Sequence, residues 1–236
     1  FQILKTMRVQ IDRIILGKML GVQDLGYYQV ASRFSGEFLN EFYEVISKTF
    51  FPIYVNVQKE TERLKYMYLN VISIVMFLLL PLVFGLSIIT VPLTLILLGE
   101  QWLPIVPIMR ILLIVGLFNT IIGTSQPLFV GAGYPKYEYI QQLIYMIILI
   151  PAIIVLTKEY GVIGTAMSLF IPFIVVIPVF MFLINRVLNV TIYEFVKILL
   201  FPIIFSVFMA SLVWYSYIEV LIYNTYIQLL IPIAIG

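Results

Sequence analysis

Long apolar runs separated by short polar connections dominate the chain. An α-helix needs about 20 mostly apolar residues to cross the hydrocarbon core of a bilayer, and the pattern predicts about eight such helices. They lie at about 1–20, 26–56, 66–96, 104–130, 138–157, 162–184, 195–217 and from about 221. Because the connections are short, we expect antiparallel neighbours in one all-α membrane bundle.

The composition supports an integral, multi-pass protein of the cell membrane. Hydrophobic residues make up 62% of the chain and charged residues 11%, and the mean hydropathy is +1.09, whereas about a quarter of the residues in soluble domains are charged. A net charge of +2 is too small to indicate a nucleic-acid surface.

The chain has no Cys and no His, which excludes disulfides, thiolate nucleophiles, His-based hydrolytic triads and zinc sites. There is also no glycine-rich loop of the kind that holds ATP phosphates. We therefore expect neither a metal nor a cofactor.

One predicted helix, at 26–56, carries a stripe of charges. Its members are Arg33, Glu37, Glu41, Glu44 and Lys48. In a continuous α-helix they fall within an arc of roughly 80°. A charge facing hydrocarbon costs at least about 2.5 kcal/mol, so we expect this stripe to face a hydrated cavity or partner side chains.

The acids near this stripe are candidates for ion coupling, because a carboxylate in a cavity of reduced polarity can take up a proton or bind a cation. The candidate acids are Asp12, Glu37, Glu41 and Glu44. A purely structural interpretation is a ladder of ion pairs along one helix, Arg33 with Glu37 and Glu44 with Lys48, which leaves Glu41 without an obvious partner.

Arginines on the first two predicted helices are candidates for binding an anion. The planar guanidinium group suits phosphate oxygens and stays charged where water is scarce, so Arg8, Arg13 and Arg33 together could hold a pyrophosphate group. Alternatively, Asp12 neutralises Arg8 or pairs with Arg33 of the next helix.

Two tyrosines, Tyr27 and Tyr28, follow Gly26 at the start of the second predicted helix. We expect them at the outer mouth of the cavity.

Basic residues are distributed unequally between alternate connections. One set of connections holds Lys59, Arg63, Lys65, Lys136, Arg186 and Lys197, and the other holds Lys18 and Lys158. Because Lys and Arg are enriched on the cytoplasmic side of membrane proteins, we expect the 57–65, 131–137 and 185–197 connections to lie in the cytoplasm.

Several short motifs occur in the order seen in a known family. The stretch 12–21 reads DRIILGKMLG, and LGYY at 25–28 and ASR at 31–33 follow it. Later landmarks are Phe51-Pro52, Pro81, Leu98-Gly99 and Trp102. In these features the chain resembles the second half of bacterial polysaccharide flippases, such as O-antigen flippases, which belong to the multidrug/oligosaccharidyl-lipid/polysaccharide exporter superfamily.

The resemblance implies a fourteen-helix exporter whose two lobes surround a charged cavity. Such an exporter moves an undecaprenyl-pyrophosphate-linked oligosaccharide across the bacterial inner membrane by alternating access. Residues 1–190 would form the second six-helix lobe, and residues 191–236 an additional helix pair with a truncated last helix. The implied partners are the lipid-linked oligosaccharide, membrane lipids, an N-terminal lobe missing from this chain and polysaccharide (lipopolysaccharide) assembly proteins.

Two other functions are compatible with the sequence. One is a cation-coupled multidrug exporter of the same superfamily, in which Glu41 would govern efflux. The other is a membrane-embedded glycosyltransferase or polymerase. Such enzymes usually carry their catalytic groups in a large extramembrane loop, and no connection here is long enough, so we expect a transporter rather than an enzyme.

Overall fold

A computed structural model describes the backbone of residues 2–235 and the side chains of residues 10–37, 39–42 and 44–216. Its helices are α1 (Gln2–Leu20), α2 (Val22–Ser32), α3 (Phe38–Val57), α4 (Thr61–Leu97), α5 (Val106–Gly123), α6 (Ser125–Gly131), α7 (Pro135–Ser168), α8 (Ile171–Leu188) and α9 (Ile192–Ile235). A π-helical turn, Arg33–Glu37, joins α2 to α3, and a 3₁₀ helix, Glu100–Ile105, precedes α5.

The all-α membrane fold is confirmed, whereas the number of eight spans stays a prediction. Among the residues described, four helices are long and apolar enough to cross a membrane: Thr61–Leu97, Glu100–Gly131, Pro135–Leu188 and Ile192–Ser216. Helix α1 and the 22–57 helix carry several charged side chains. The helix predicted from about residue 221 falls outside the residues whose side chains are described.

Glycines end or break helices where the sequence predicted turns. Gly161 has φ +60° and interrupts α7, so that the 54 residues from Pro135 to Leu188 form two helical stretches, each near the length of one span. Gly99 has φ +90° after α4. A left-handed φ is readily adopted only by glycine, which explains the residue type at both breaks.

The core of the bundle lies around α5, which packs against α2, α3, α4 and α7. Its largest fully buried side chains include Tyr28, Tyr54, Tyr68, Phe129, Leu39 and Ile72. Helix α9 runs along α4, and α7 packs between α1 and α8. The outer faces of α8 and α9 remain apolar and exposed, as expected for surfaces that meet lipid.

The helix from Val22 to Val57 differs from the continuous α-helix that the charge stripe assumed. In the turn Arg33–Glu37 the backbone bonds run to the fifth residue instead of the fourth. One residue is thereby added to the turn, so the residues before it are rotated relative to those after it. The stripe is divided at this point: Arg33 is exposed, and Glu37 contacts α1.

At one end of the bundle, the 57–65 connection meets the segment between α8 and α9. Lys65 Nζ lies 2.7 Å from Glu194 Oε1 and donates to the Asn189 carbonyl at 3.1 Å. The Thr191 amide donates to Glu194 Oε2 at 2.9 Å, and the Glu194 amide donates to Thr191 Oγ1 at 3.3 Å, which is a capping box at the start of α9. The Thr191 hydroxyl also donates to Glu194 Oε2, at 3.0 Å. The two connections therefore lie at the same end, as their shared assignment to the cytoplasm requires.

Candidate functional site

A polar cavity of about 190 Å³ lies between α1, the 22–57 helix, α5 and α7. Its polar lining includes Asp12, Arg13, Glu37, Asn40, Glu138 and Gln142. These four helical segments and Gln126 of α6 contribute to it because each carries polar side chains on the face that packs inward. A cavity of this size holds several water molecules or part of a larger polar ligand.

Asp12 and Tyr28 form the inner wall of this cavity. The Tyr28 hydroxyl donates to Asp12 Oδ2 at 2.5 Å, and the Arg13 backbone N–H donates to Oδ1 at 2.8 Å. Tyr28 is only 1% exposed, so its hydroxyl depends on this acceptor. The bond joins α1 to α2 across the cavity wall.

Arg13 connects α1 to the π turn. Its guanidinium Nη2 forms an ion pair with Glu37 Oε1 and also lies 3.4 Å from Ser32 Oγ. The Nε of Arg13 is buried and has no hydrogen-bond partner among the groups described. Both described side-chain contacts of the guanidinium group are therefore made by Nη2.

The structure brings together only some of the residues predicted for the site. Asp12, Arg13, Glu37 and Tyr28 share the cavity. Arg33 is exposed and does not line it, and the side chain of Arg8 lies outside the described residues. The roles of these residues in binding stay predictions.

The other stripe residues and Tyr27 lie elsewhere. Glu44 Oε2 lies 3.8 Å from Lys48 Nζ on the same helix, and this is one of the two ion pairs that the structural interpretation of the stripe expected. Glu41 belongs to a separate apolar groove described below. Tyr27 packs edge-on against Trp102 with ring centroids 5.8 Å apart, and only Tyr28 lines the cavity.

Sequence reasoning missed a polar face on α7. Glu138 is 6% exposed and lines the cavity, and it accepts a hydrogen bond from Gln142 Nε2 at 2.9 Å. The side-chain amide of Gln141 and Gln142 Oε1 are buried without a described partner. The signal was present in the sequence, because Glu138, Gln142 and Tyr145 recur at the spacing of one helix face. It was overlooked because Glu138 is near the turn at 131–137.

The cavity contains more acids than bases. The carboxylates of Asp12, Glu37 and Glu138 face it, against the single guanidinium group of Arg13. Across the described side chains, no group of three or more acids is arranged to hold a metal ion. Because carboxylates outnumber guanidinium groups there, the cavity favours protons, cations and hydroxyl groups over an added anion.

An apolar groove of about 390 Å³ lies between α3 and α4. Phe42, Val45 and Phe50 line it from α3, and Ile74 and Leu78 line it from α4. Glu41 is the one ionisable residue among the described side chains that line this groove. The polar cavity and this groove thus offer two chemically different surfaces on either side of α3.

Comparison with known proteins gives relatives in polysaccharide biosynthesis. Residues 1–107 match a family described as "Polysaccharide biosynthesis protein". The chain is 22% identical over 166 residues to the lipopolysaccharide biosynthesis protein WzxC of Escherichia coli, covering 70% of this chain and 34% of that protein. It is 25% identical over 123 residues to the teichuronic acid biosynthesis protein TuaB of Bacillus subtilis, covering 52% of this chain and 26% of that protein.

A solved structure shares the fold. The lipid II flippase MurJ, in an inward closed conformation, superposes with a TM-score of 0.69 at 16% identity, covering 94% of this chain and 52% of that chain. The chain spans about a third of the length of the first curated relative that it matches. Together these matches confirm the predicted resemblance to proteins of polysaccharide biosynthesis, in a fold similar to that of a lipid II flippase.

Proposed function

We propose that this chain forms part of a flippase that moves a lipid-linked oligosaccharide across the cell membrane for polysaccharide biosynthesis. The observation that carries the proposal is a polar cavity inside a largely apolar helical bundle, in a fold similar to that of a lipid II flippase. A sugar chain carries many hydroxyl groups that cannot enter hydrocarbon without hydrogen-bond partners. Carboxylate and amide side chains such as Glu138, Gln142 and Asn40 supply such partners.

The finer proposal is alternating access with an undecaprenyl-pyrophosphate-linked substrate in the bacterial inner membrane. Arg33 stays a candidate for the pyrophosphate because it is exposed and begins the π turn, whose residues Gly36 and Glu37 line the cavity. The Arg13 guanidinium group already pairs with Glu37. Arg8 remains in the proposal from its position one helical turn before Asp12.

Ion coupling is proposed for the acids of the polar cavity. Asp12 and Glu37 are two of the acids that the sequence suggested, and Glu138 joins them across the cavity. Glu41 and Glu44 stay in the proposal as secondary candidates, because neither lines this cavity. Their exchange of a proton or cation would link substrate movement to an ion gradient.

A cation-coupled multidrug exporter is the second candidate, and the excess of acids in the cavity favours it. An organic cation would be attracted by Asp12, Glu37 and Glu138, whereas a pyrophosphate would be repelled by them. The two functions therefore predict different substrates for the same cavity.

The test is transport by the full-length protein in proteoliposomes. We expect it to translocate a fluorescent lipid-linked oligosaccharide faster than protein-free liposomes, and we expect Arg8→Ala with Arg33→Ala to abolish that activity. Arg110→Ala is the matched control, because Arg110 is exposed on α5 and its Nε donates to the Ser87 carbonyl at 3.0 Å. Movement of an organic-cation dye without lipid-linked oligosaccharide would instead support the multidrug exporter. Wild-type transport in the double variant would exclude capture of the anion by these arginines.

A further inference from the structure

The π turn Arg33–Glu37 is the one interruption of a helix that otherwise runs from Val22 to Val57. A π turn inside an α-helix is rare and lies frequently at functional sites. Here it borders the polar cavity, which Ser32, Gly36 and Glu37 line. The turn therefore lies where a change of backbone register alters which side chains reach the cavity.

Arg13 makes contacts that are specific to the π form. Its Nη2 reaches both Ser32, the residue before the turn, and Glu37, the last residue of the turn. These residues are five apart, and a π turn brings residues five apart onto one face. In an α-helix they would be about 140° apart at about 100° per residue. One guanidinium nitrogen could not contact both.

The opposite side of the turn is held by close packing. Ser35 is fully buried, and its hydroxyl donates to the Ala31 carbonyl at 2.5 Å, which satisfies a backbone group where the regular helical ladder is interrupted. Just after the turn, Leu39 packs on Gly116 of α5 so closely that a Cβ on Gly116 would lie 2.6 Å from Leu39 Cδ1. Helix α5 thus packs tightly on the start of α3, and a change of register moves α2 and Arg33 relative to it.

We infer that Arg13 is a positioning residue that holds Arg33–Glu37 in the π form, and that release of its pair with Glu37 lets the segment return to an α-helix. The return rotates the residues before the turn by about 100° relative to those after it. In the α form, the five charges Arg33, Glu37, Glu41, Glu44 and Lys48 lie within one arc of roughly 80°. The turn therefore decides whether Arg33 lies on the same face as the acids.

Two registers of one helix provide a two-state element next to the cavity. Packed interiors switch between discrete arrangements rather than deforming continuously. The use of such a switch in alternating access depends on the proposed transport function. The two registers, and their control by Arg13, are independent of that function.

The experiment is a cysteine accessibility scan across residues 26–48 of the full-length protein. This chain contains no Cys, so each introduced cysteine is its only thiol, and any cysteines elsewhere in the protein are replaced. A polar thiol reagent reports which positions face water. In the wild type we expect accessible positions on each side of the π turn to recur at the helical spacing. Those after the turn should be displaced by one residue, about 100° around the helix, from the positions that the pattern before the turn predicts.

Arg13→Gln should abolish the one-residue shift, so that a single period runs through the whole scan. Glu37→Gln, which retains the arginine, should do the same. It keeps the test decisive if Arg13→Gln fails to accumulate in the membrane. The charge exchange Arg13→Glu with Glu37→Arg should restore the shift, and a merely structural loosening would not respond to that exchange.

Arg110→Gln is the matched control and should leave the wild-type pattern unchanged, because Arg110 contacts Ser87 of α4 and not the turn. An unchanged shift in both Arg13→Gln and Glu37→Gln would overturn the inference. Loss of the shift in Arg110→Gln as well would also overturn it. The scan measures backbone register without transport, so a protein that fails the flippase assay can still pass or fail this test.

Discussion

The wall of the polar cavity and the contact between α4 and α9 are built from opposite kinds of side chain. At the cavity, the Tyr28 hydroxyl donates to Asp12 at 2.5 Å. Between α4 and α9, Phe77 stacks against Phe201 and Phe205 with ring centroids 5.9 and 5.1 Å apart. Lipid tails compete on nearly equal terms for apolar contacts, but they offer no substitute for a directed polar bond. The cavity contacts therefore specify how the helices fit together, and the α4–α9 contact tolerates substitution.

The largest effect is expected from Asp12→Ala, which removes the acceptor of the buried Tyr28 hydroxyl. The free energy of unfolding should fall by about 1 to 2 kcal/mol, and transport should fall more than tenfold because the cavity loses a carboxylate. Thermal unfolding in detergent and the proteoliposome assay measure the two effects.

The double variant Asp12→Ala with Tyr28→Phe sharpens this test. Removing both partners leaves no unsatisfied hydroxyl, so the double variant should be less destabilised than the sum of the two single variants. Additive losses, or a single variant as stable as the wild type, would show that this bond does not fix α1 to α2.

A second test compares two glycines, one at each contact. A Cβ at Gly116 would lie 2.6 Å from Leu39 Cδ1, whereas a Cβ at Gly85 would lie 3.5 Å from Met209 Cε, an ordinary contact. Gly116→Ala should destabilise the protein by about 1 kcal/mol, because the well-packed Leu39 must move. Gly85→Ala should be neutral or slightly stabilising, since alanine favours the helix. Equal unfolding temperatures for the two variants would contradict the proposed difference between the contacts.

The same contrast explains what the sequence could predict. Apolar runs and helix-breaking residues are local signals, so the helices and the breaks at Gly99 and Gly161 follow from the pattern. The chemistry of the cavity was only partly visible. Asp12, Arg13 and Glu37 were recognisable as charges in apolar helices, and the structure places them on one cavity.

Two features could not be read from local pattern. A π turn adds one residue to a helical turn without a distinctive residue type, so the stripe from Arg33 to Lys48 was placed on an ideal α-helix. The pairing of Glu37 with Arg13 rather than Arg33 depends on that turn and on how α1 packs. Glu138 was overlooked because its burial comes from tertiary packing next to a turn, where a charged residue is ordinarily exposed.

A smaller effect is expected from Phe77→Leu at the α4–α9 contact. The variant loses two ring stackings, which are worth about 0.5 to 1.5 kcal/mol in a double-mutant cycle, but leucine and lipid tails refill the space. The loss of stability should lie at or below the lower end of that range, with transport unchanged. Phe182→Leu is the matched control, since Phe182 is an exposed phenylalanine on α8. A loss of transport in Phe77→Leu alone would show that the apolar contact also positions the cavity.

A still smaller effect is expected from Lys65→Gln, at the end of the α4–α9 contact. The substitution removes the pair with Glu194 at 2.7 Å, but Glu194 keeps the amide and hydroxyl hydrogen bonds from Thr191. A partly exposed ion pair at the surface is worth little and weakens further with added salt. The unfolding temperature should therefore change less than in Phe77→Leu, and the difference from the wild type should vanish at high ionic strength.

Arg63→Gln provides the comparison for Lys65→Gln, because Arg63 pairs with Glu60 within the same exposed connection at 3.4 Å. Lys65 joins two connections that are distant in sequence. Lys65→Gln should therefore lower the unfolding temperature more than Arg63→Gln does at low salt, and by the same amount at high salt. If Lys65→Gln instead destabilised the protein as much as Asp12→Ala, the helix positions would be set at the end of the bundle. The polar cavity would then be a consequence of the packing and not its determinant.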